Sequence, residues 1–73
     1  MYLFKEELGM TPLEYQQTLR IKDSMSALIS SRQNITEIAE QVGYQDPLYF
    51  SRVFKKLVGV SPSEYRKQNI NEL

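Results

Sequence analysis

The sequence contains no cysteine and no histidine. It therefore cannot form disulfides or thiolate metal sites, and it has no imidazole for general acid-base catalysis. No apolar run approaches the roughly 20 residues of a membrane span, and residues 1–6 lack the basic start and long apolar core of a signal peptide. We therefore expect an intracellular, soluble chain that resides in the cytoplasm.

The chain also lacks a net charge, because nine basic side chains balance nine acidic ones. This balance argues against a nonspecific polyanion binder, since such domains usually carry a basic excess. The charges are unevenly distributed, however. Residues 1–46 hold four basic and seven acidic side chains, net −3, whereas residues 47–73 hold five basic and two acidic ones, net +3. The positive stretch, residues 47–73, would therefore bind an acidic partner.

The length of 73 residues allows one small domain, whose folding buries only about 60% of the surface of the unfolded chain. Within it, residues 34–42 have the pattern of a short amphipathic helix. Asn34 is a favourable N-cap, Glu37 can close a capping box, and Gly43 can end the helix in a left-handed conformation. The apolar positions have the spacing i, i+3, i+4, i+7 and are Ile35, Ile38, Ala39 and Val42.

A second amphipathic helix is predicted over residues 47–58, where Asp46 supplies an N-cap and Pro47 the first helical position. Its apolar face consists of Phe50, Val53, Phe54 and Leu57. Another side carries Leu48, Ser51, Arg52 and Lys55, flanked by Tyr49 and Lys56. Two short helices joined by a glycine-containing turn are typical of a helix-turn-helix, in which the second helix enters a DNA groove. The predicted fold class is all-α.

An internal repeat extends this pattern. Residues 4–15, FKEELGMTPLEY, align without a gap with residues 54–65, FKKLVGVSPSEY, and six of the twelve positions are identical. Chance would give about one identity over that length. In each copy a glycine ends one helix, and a Thr-Pro or Ser-Pro pair begins the next.

The repeat predicts a domain organisation. Residues 1–10 would end a first helix-turn-helix unit, 11–30 would form a linker helix, 34–68 a complete second unit, and 69–73 a frayed tail. In the linker helix, Tyr15, Ile21, Met25 and Leu28 should face neighbouring helices, with Leu19 and Ile29 at the margin. Either the sequence begins part-way through a longer domain, or the gene product is itself a truncated unit.

Residues 38–66, IAEQVGYQDPLYFSRVFKKLVGVSPSEYR, closely resemble the C-terminal signature of AraC/XylS-type transcription regulators. Residues 9–29, GMTPLEYQQTLRIKDSMSALI, resemble their linker helix. The run DPLYFSRVFKK most resembles the output domains of two-component response regulators in that family. The resemblance implies a seven-helix domain of two helix-turn-helix units, each of which inserts a binding helix into successive major-groove segments.

Position by position, the resemblance implies a recognition helix over about residues 47–58. The base-facing side chains would be Pro47, Leu48, Tyr49, Ser51 and Arg52. Phosphate contacts would come from Thr36, Lys55, Lys56, Ser61 and Ser63. Of the corresponding base-facing positions in the first unit, only Met1 and Tyr2 are present, and Tyr2 aligns with Arg52. No cofactor and no metal is implied.

The partners expected on this basis are double-stranded DNA and RNA polymerase. The alternative is a helical protein interaction or dimerisation module without direct DNA contact, which would use the exposed stripe or apolar surface left uncovered by the truncation. An enzyme is disfavoured, because neither Glu6-Glu7 nor the pair Glu37 and Glu40 is accompanied by a nucleophile–base pair or a phosphate-binding glycine loop.

Overall fold

The computed structural model describes residues 9–70, and this part of the chain contains four α-helices and no strand. The helices are α1 (Pro12–Ser30), α2 (Ile35–Gln41), α3 (Pro47–Val58) and α4 (Pro62–Ile70). The all-α prediction is confirmed. The expected end of a first unit, as far as residue 8, and positions 71–73 of the expected tail lie outside the described residues.

Predicted and observed helix bounds agree closely for α1, α2 and α3. They differ at α4, where the helix expected to end near Gln68 continues to Ile70. Residues 69 and 70, which were expected in a frayed tail, thus belong to the last turn of α4. The Asn69 side-chain amide donates a 2.8 Å hydrogen bond to the Tyr65 carbonyl, and this bond ties the last turn to the preceding one.

The two repeat copies begin α1 and α4 in the same way. Glu14 donates its backbone N–H to the Thr11 hydroxyl at 3.1 Å, and Glu64 donates to the Ser61 hydroxyl at 3.2 Å. In the first copy, the Glu14 carboxylate also accepts from the Thr11 N–H at 2.8 Å, which completes a capping box. The sequence repeat is thus a repeated helix start.

The turn between α2 and α3 is a Schellman motif. The Gly43 N–H donates to the Glu40 carbonyl at 3.1 Å, and the Tyr44 N–H donates to the Ala39 carbonyl at 2.8 Å. Gly43 has φ +105°, a left-handed conformation that a side chain with a Cβ rarely adopts. This geometry ends α2 and turns the chain toward α3, as the sequence predicted.

The core forms where α1 packs against the other three helices. Phe50 and Phe54 of α3 are fully buried, and together with Leu28 they are the largest of the fully buried hydrophobic side chains. The buried apolar residues are Ile21, Leu28, Ile38, Ala39, Tyr44, Phe50, Val53 and Phe54. Most of the predicted core positions are in this set or pack against it.

Some side chains depart from the predicted core, among them Tyr44, which is buried although it was not expected there. Leu57, expected on the buried face of α3, is 46% exposed, because it borders an open groove between α3 and α1. Ser24, which was not predicted to be buried, is fully buried. Its hydroxyl donates to the Ile21 carbonyl at 2.6 Å, so the polar group remains satisfied inside the core.

Five aromatic rings form a continuous row through the core. The ring centroids of Tyr49 and Tyr44 are 5.9 Å apart, those of Tyr44 and Phe50 5.5 Å, those of Phe50 and Phe54 5.9 Å, and those of Phe54 and Tyr65 5.6 Å. All four pairs are tilted or edge-on, the arrangements that aromatic quadrupoles favour. The row connects the exposed side of α3 to α4.

Arg66 of α4 caps the C-terminal end of α1. Its Nε donates to the Leu28 carbonyl at 2.9 Å, and its Nη2 donates to the Ser31 carbonyl at 3.2 Å. The last turn of α1 contains no basic residue, so Arg66 supplies both the missing donors and a favourable positive charge. One positive charge of residues 47–73 is therefore committed to the fold.

Replacing Gly43 with valine should lower the free energy of unfolding by about 1–3 kcal/mol, because a β-branched residue is strained at this φ. An added Cβ would also lie 3.0 Å from Cζ of Arg20. Gly59→Val is the matched control, since Gly59 has φ +102° but no atom of the described residues lies within 4 Å of an added Cβ. Urea denaturation should show the larger loss for Gly43→Val. Unchanged stability in both variants would contradict the left-handed turns.

Replacing Arg66 with alanine should lower the free energy of unfolding by about 1–2 kcal/mol, since two charge-assisted hydrogen bonds are lost from a partly buried site. Lys67→Ala is the control, because Lys67 is an exposed cation one position further along the helix. Thermal or urea unfolding of both variants compares the two effects. Equal losses would mean that the Arg66 hydrogen bonds contribute nothing specific.

Candidate nucleic-acid interface

Helix α3 has one buried side and one exposed side. Phe50 and Phe54 fix the buried side, and helical periodicity places Leu48, Arg52 and Lys55 opposite them. Leu48 is 74% exposed. The predicted free stripe is thus on the surface of the protein.

The cations of α3 are available to a ligand. Arg52, Lys55 and Lys56 are exposed, and within residues 9–70 none of them is engaged in a salt bridge or a side-chain hydrogen bond. Lys55 and Lys56 lie in the last turn of the helix, where the carbonyl ends stabilise positive charge. The exposed side of α3 therefore presents cations that have no partner within residues 9–70, together with the apolar side chain of Leu48.

The remaining residues that the resemblance assigns to base contact lie at the sides of this surface. Pro47 is the first residue of α3 and is half-buried, as is Ser51. Tyr49 is about half exposed, and its hydroxyl accepts a 3.2 Å hydrogen bond from Nε2 of Gln17 in α1. Leu48 and Arg52 are the members of the set that lie fully on the surface.

The candidate phosphate contacts outside α3 are at helix starts. Thr36 and Ser63 are exposed in the first turns of α2 and α4, where backbone N–H groups have no carbonyl partner inside the helix. Ser61 is half-buried, and its hydroxyl already accepts from the Glu64 N–H. Such helix starts can donate to a phosphate through the backbone.

A groove separates α3 from α1, and we call it the α1–α3 groove. It has a volume of about 440 Å³. Its α3 side is formed by Tyr49, Arg52, Val53, Lys56 and Leu57, and its α1 side by Glu14, Gln17 and Thr18.

In the described part of the chain, no three acidic side chains come close enough to hold a metal ion. No helix between residues 9 and 70 is long and apolar enough to cross a membrane.

Tyr44 lies beneath the start of α3 and connects it to α1. Its ring is buried, and Cζ of Arg20 is 5.7 Å from the ring centroid. Arg20 also donates through Nη1 to the Gly43 carbonyl at 3.4 Å. Burial raises the pKa of Tyr44, an effect that the positive charge of Arg20 opposes and Tyr49 reinforces. The Tyr44 hydroxyl has no hydrogen-bond partner within residues 9–70.

Sequence reasoning did not identify Gln17 and Arg20 as parts of this region. A signal was present for Gln17, because it shares one helical stripe with Ile21, Ser24 and Leu28. A polar residue on an otherwise buried stripe needs a partner, and Tyr49 provides it. For Arg20 no comparable local signal exists, since its contacts are with residues of the turn.

Comparison with known proteins is consistent across sequence and structure. Residues 1–68 match a family model described as a helix-turn-helix domain. The arabinose operon regulatory protein of Escherichia coli is 39% identical over 75 aligned positions, which cover 99% of this chain and 26% of that protein. The chain therefore spans about a quarter of the length of the curated relatives it matches.

Two solved structures have the same fold. The C-terminal domain of AraT, a response regulator from Geobacillus stearothermophilus, superposes with a TM-score of 0.87 at 41% identity and covers 90% of this chain and 55% of that one. The DNA-binding domain of AdpA, a global transcriptional factor solved with a target DNA, gives a TM-score of 0.86 at 27% identity. It covers 92% of this chain and 60% of that one.

The Tyr44→Phe substitution should increase the free energy of unfolding at pH 7 by about 1 kcal/mol, because it removes a buried hydroxyl that has no partner within residues 9–70 and keeps the ring. Burial raises the pKa of Tyr44 above 10.0, so the folded chain holds this proton more tightly than the unfolded chain does. The folded chain therefore keeps its neutral-pH stability below pH 10 and loses part of it as the pH rises through the raised pKa of Tyr44.

Urea denaturation between pH 7 and 11 measures both effects. The unmodified chain should lose more stability above pH 10 than the Tyr44→Phe variant does, because only the unmodified chain carries the Tyr44 hydroxyl. A variant that is less stable at pH 7 and has the same alkaline slope would contradict this description of Tyr44.

Proposed function

Because the chain belongs to the AraC/XylS family of helix-turn-helix transcription regulators, we propose that it binds double-stranded DNA sequence-specifically, with α3 in the major groove. The observation that carries the proposal is the exposed side of α3, where Leu48, Arg52 and Lys55 stand opposite the buried Phe50 and Phe54. A helix of this kind is held firmly on one side and is free to enter a groove on the other.

The base-reading roles fall to the side chains of that exposed side. Arg52 has the fork of donors that pairs with O6 and N7 of guanine. Leu48 offers an apolar surface suited to a thymine methyl group, and Ser51 can donate to or accept from a base edge. Pro47 at the start of the helix adds an apolar contact. Tyr49 belongs to the same proposed surface.

The phosphate-binding roles fall to two groups of residues. Lys55 and Lys56 supply mobile positive charges near the end of α3, and such charges give affinity without sequence preference. The backbone near Thr36, Ser61 and Ser63 supplies helix N-termini, which fix the position of the protein on the duplex.

We further propose that the protein acts as a transcription regulator in the cytoplasm, with RNA polymerase as a second partner. Support comes from the relatives, which include the regulatory protein of an operon. The response-regulator neighbour and the run DPLYFSRVFKK support an output domain of a two-component system. A catalytic activity is not proposed, since regulators of this family are not enzymes.

We also propose the domain organisation inferred from the repeat, with residues 1–10 ending a first unit, 11–30 forming the linker helix and 34–68 the second unit.

A second candidate function, association between copies, is favoured by one observation. Leu57 is about half exposed beside an apolar depression of about 430 Å³ that also includes Met25. Sedimentation at several salt concentrations would test it, because an apolar interface does not weaken with salt.

Arg52→Ala should weaken binding to a duplex selected from a randomised library by about 5- to 150-fold, the equivalent of about 1–3 kcal/mol, and should relax the base preference at one position. Lys55→Ala should weaken all duplexes alike. Fluorescence anisotropy with single-base variants of the selected duplex separates the two effects. Equal and sequence-blind losses in both variants would remove the base-reading role of Arg52.

A further inference from the structure

Tyr49 differs from the other proposed base-contacting residues because its polar atom is already engaged. Gln17, which lies 32 positions earlier in the chain, donates from Nε2 to the Tyr49 hydroxyl at 3.2 Å. The Tyr49 ring also packs against the Tyr44 ring, with 5.9 Å between centroids. Both contacts hold Tyr49 on the wall of the α1–α3 groove.

These contacts continue back into α1. The Tyr44 ring lies 5.7 Å from Cζ of Arg20, and Arg20 Nη1 donates to the Gly43 carbonyl in the turn before α3. Gln17 and Arg20 are nearly one helical turn apart on α1. One turn of α1 therefore contacts α3 through Tyr49 and contacts the preceding turn through Gly43. The two points of contact lie on either side of the N-cap, Asp46.

We propose that Tyr49 is a positioning residue and that Gln17 is its partner, so that the linker helix α1 fixes the orientation in which α3 meets DNA. This inference rests on the proposed DNA-binding function. It changes the role of one residue, because Tyr49 then acts through Gln17 and Tyr44 and not through a base edge. It also assigns a role in DNA recognition to Gln17, a residue outside the helix-turn-helix.

The geometry favours positioning over base reading for a physical reason. A hydroxyl that turned toward a base would have to leave the Gln17 amide, and the Tyr49 ring would have to leave Tyr44. Leu48 and Arg52 have no such contacts to break within residues 9–70. The hydrogen bond from Gln17 and the ring contact with Tyr44 therefore hold Tyr49 in place. These contacts fix the rotation of α3 about its own axis.

The test is a double-mutant cycle on the full 73-residue chain with Tyr49→Phe, Gln17→Ala and the double variant. The probe is a fluorescent duplex selected from a randomised library with the unmodified chain, together with its single-base variants. Tyr49→Phe and Gln17→Ala should each weaken binding by about 2- to 10-fold, as expected for one hydrogen bond. The double variant should be no weaker than either single variant, and the preferred base should stay the same at every position.

Gln16→Ala is the matched control, because Gln16 is an exposed glutamine next to Gln17 on α1. The dissociation constant of this variant for the selected duplex should not change. A changed base preference at one position in Tyr49→Phe, with no effect of Gln17→Ala, would overturn the inference and assign Tyr49 to base reading. Effects that multiply in the double variant would overturn it as well, because the two residues would then act independently.

A measurement without DNA keeps the inference testable by itself. Amide hydrogen exchange of residues 43–46 and 48–50 should become faster in Tyr49→Phe and in Gln17→Ala, and should remain unchanged in Gln16→Ala. Unchanged exchange in both single variants would overturn the positioning role. Failure of the unmodified chain to bind any selected duplex would instead overturn the proposed function, so the two failures give different results.

Discussion

The burial of Phe50 and Phe54 is the interaction on which the rest of the structure depends. Both side chains are fully buried, and burying an aromatic side chain of this size contributes about 1.5–3 kcal/mol. In a chain of 73 residues the total stability is small, so two such residues on one short helix decide how that helix is held. Their burial turns Leu48, Arg52 and Lys55 outward, and the proposed interface is a consequence of this packing.

Helix α1 is the second requirement, because it is the surface on which the helix-turn-helix is assembled. It packs against α2, α3 and α4, and its C-terminal end is capped from α4 by Arg66. Near its other end, Gln17 and Arg20 contact Tyr49 and the Gly43 carbonyl. These polar contacts are individually weak, but they are directional, whereas apolar burial is not. Directional contacts give α3 a defined orientation in addition to stability.

The sequence predicted the features that depend on neighbouring residues. The caps of α1 and α2, the turn at Gly43 and the apolar stripes are all local patterns, and the helix bounds agree because such patterns determine where helices begin and end. The contacts of Arg66 and Gln17 join residues 38 and 32 positions apart, so periodicity could not reveal them. Leu57 was assigned to the core because a helical stripe indicates a direction and does not indicate how much surface a neighbouring helix covers. All of the proposed site residues remain predictions, and those outside α3 came from resemblance alone.

The most direct test of the account is the salt dependence of DNA binding by the unmodified chain, measured by fluorescence anisotropy with a short labelled duplex. Arg52, Lys55 and Lys56 are exposed and unpaired within the described residues, so their contacts with phosphates would release counterions. The account predicts that the logarithm of the binding constant falls linearly with the logarithm of the salt concentration, with a slope between about −2 and −4. It also predicts that Lys55→Ala makes the slope shallower by about one. Absence of binding at low salt, or binding that does not change with salt, would contradict the claim that α3 binds DNA.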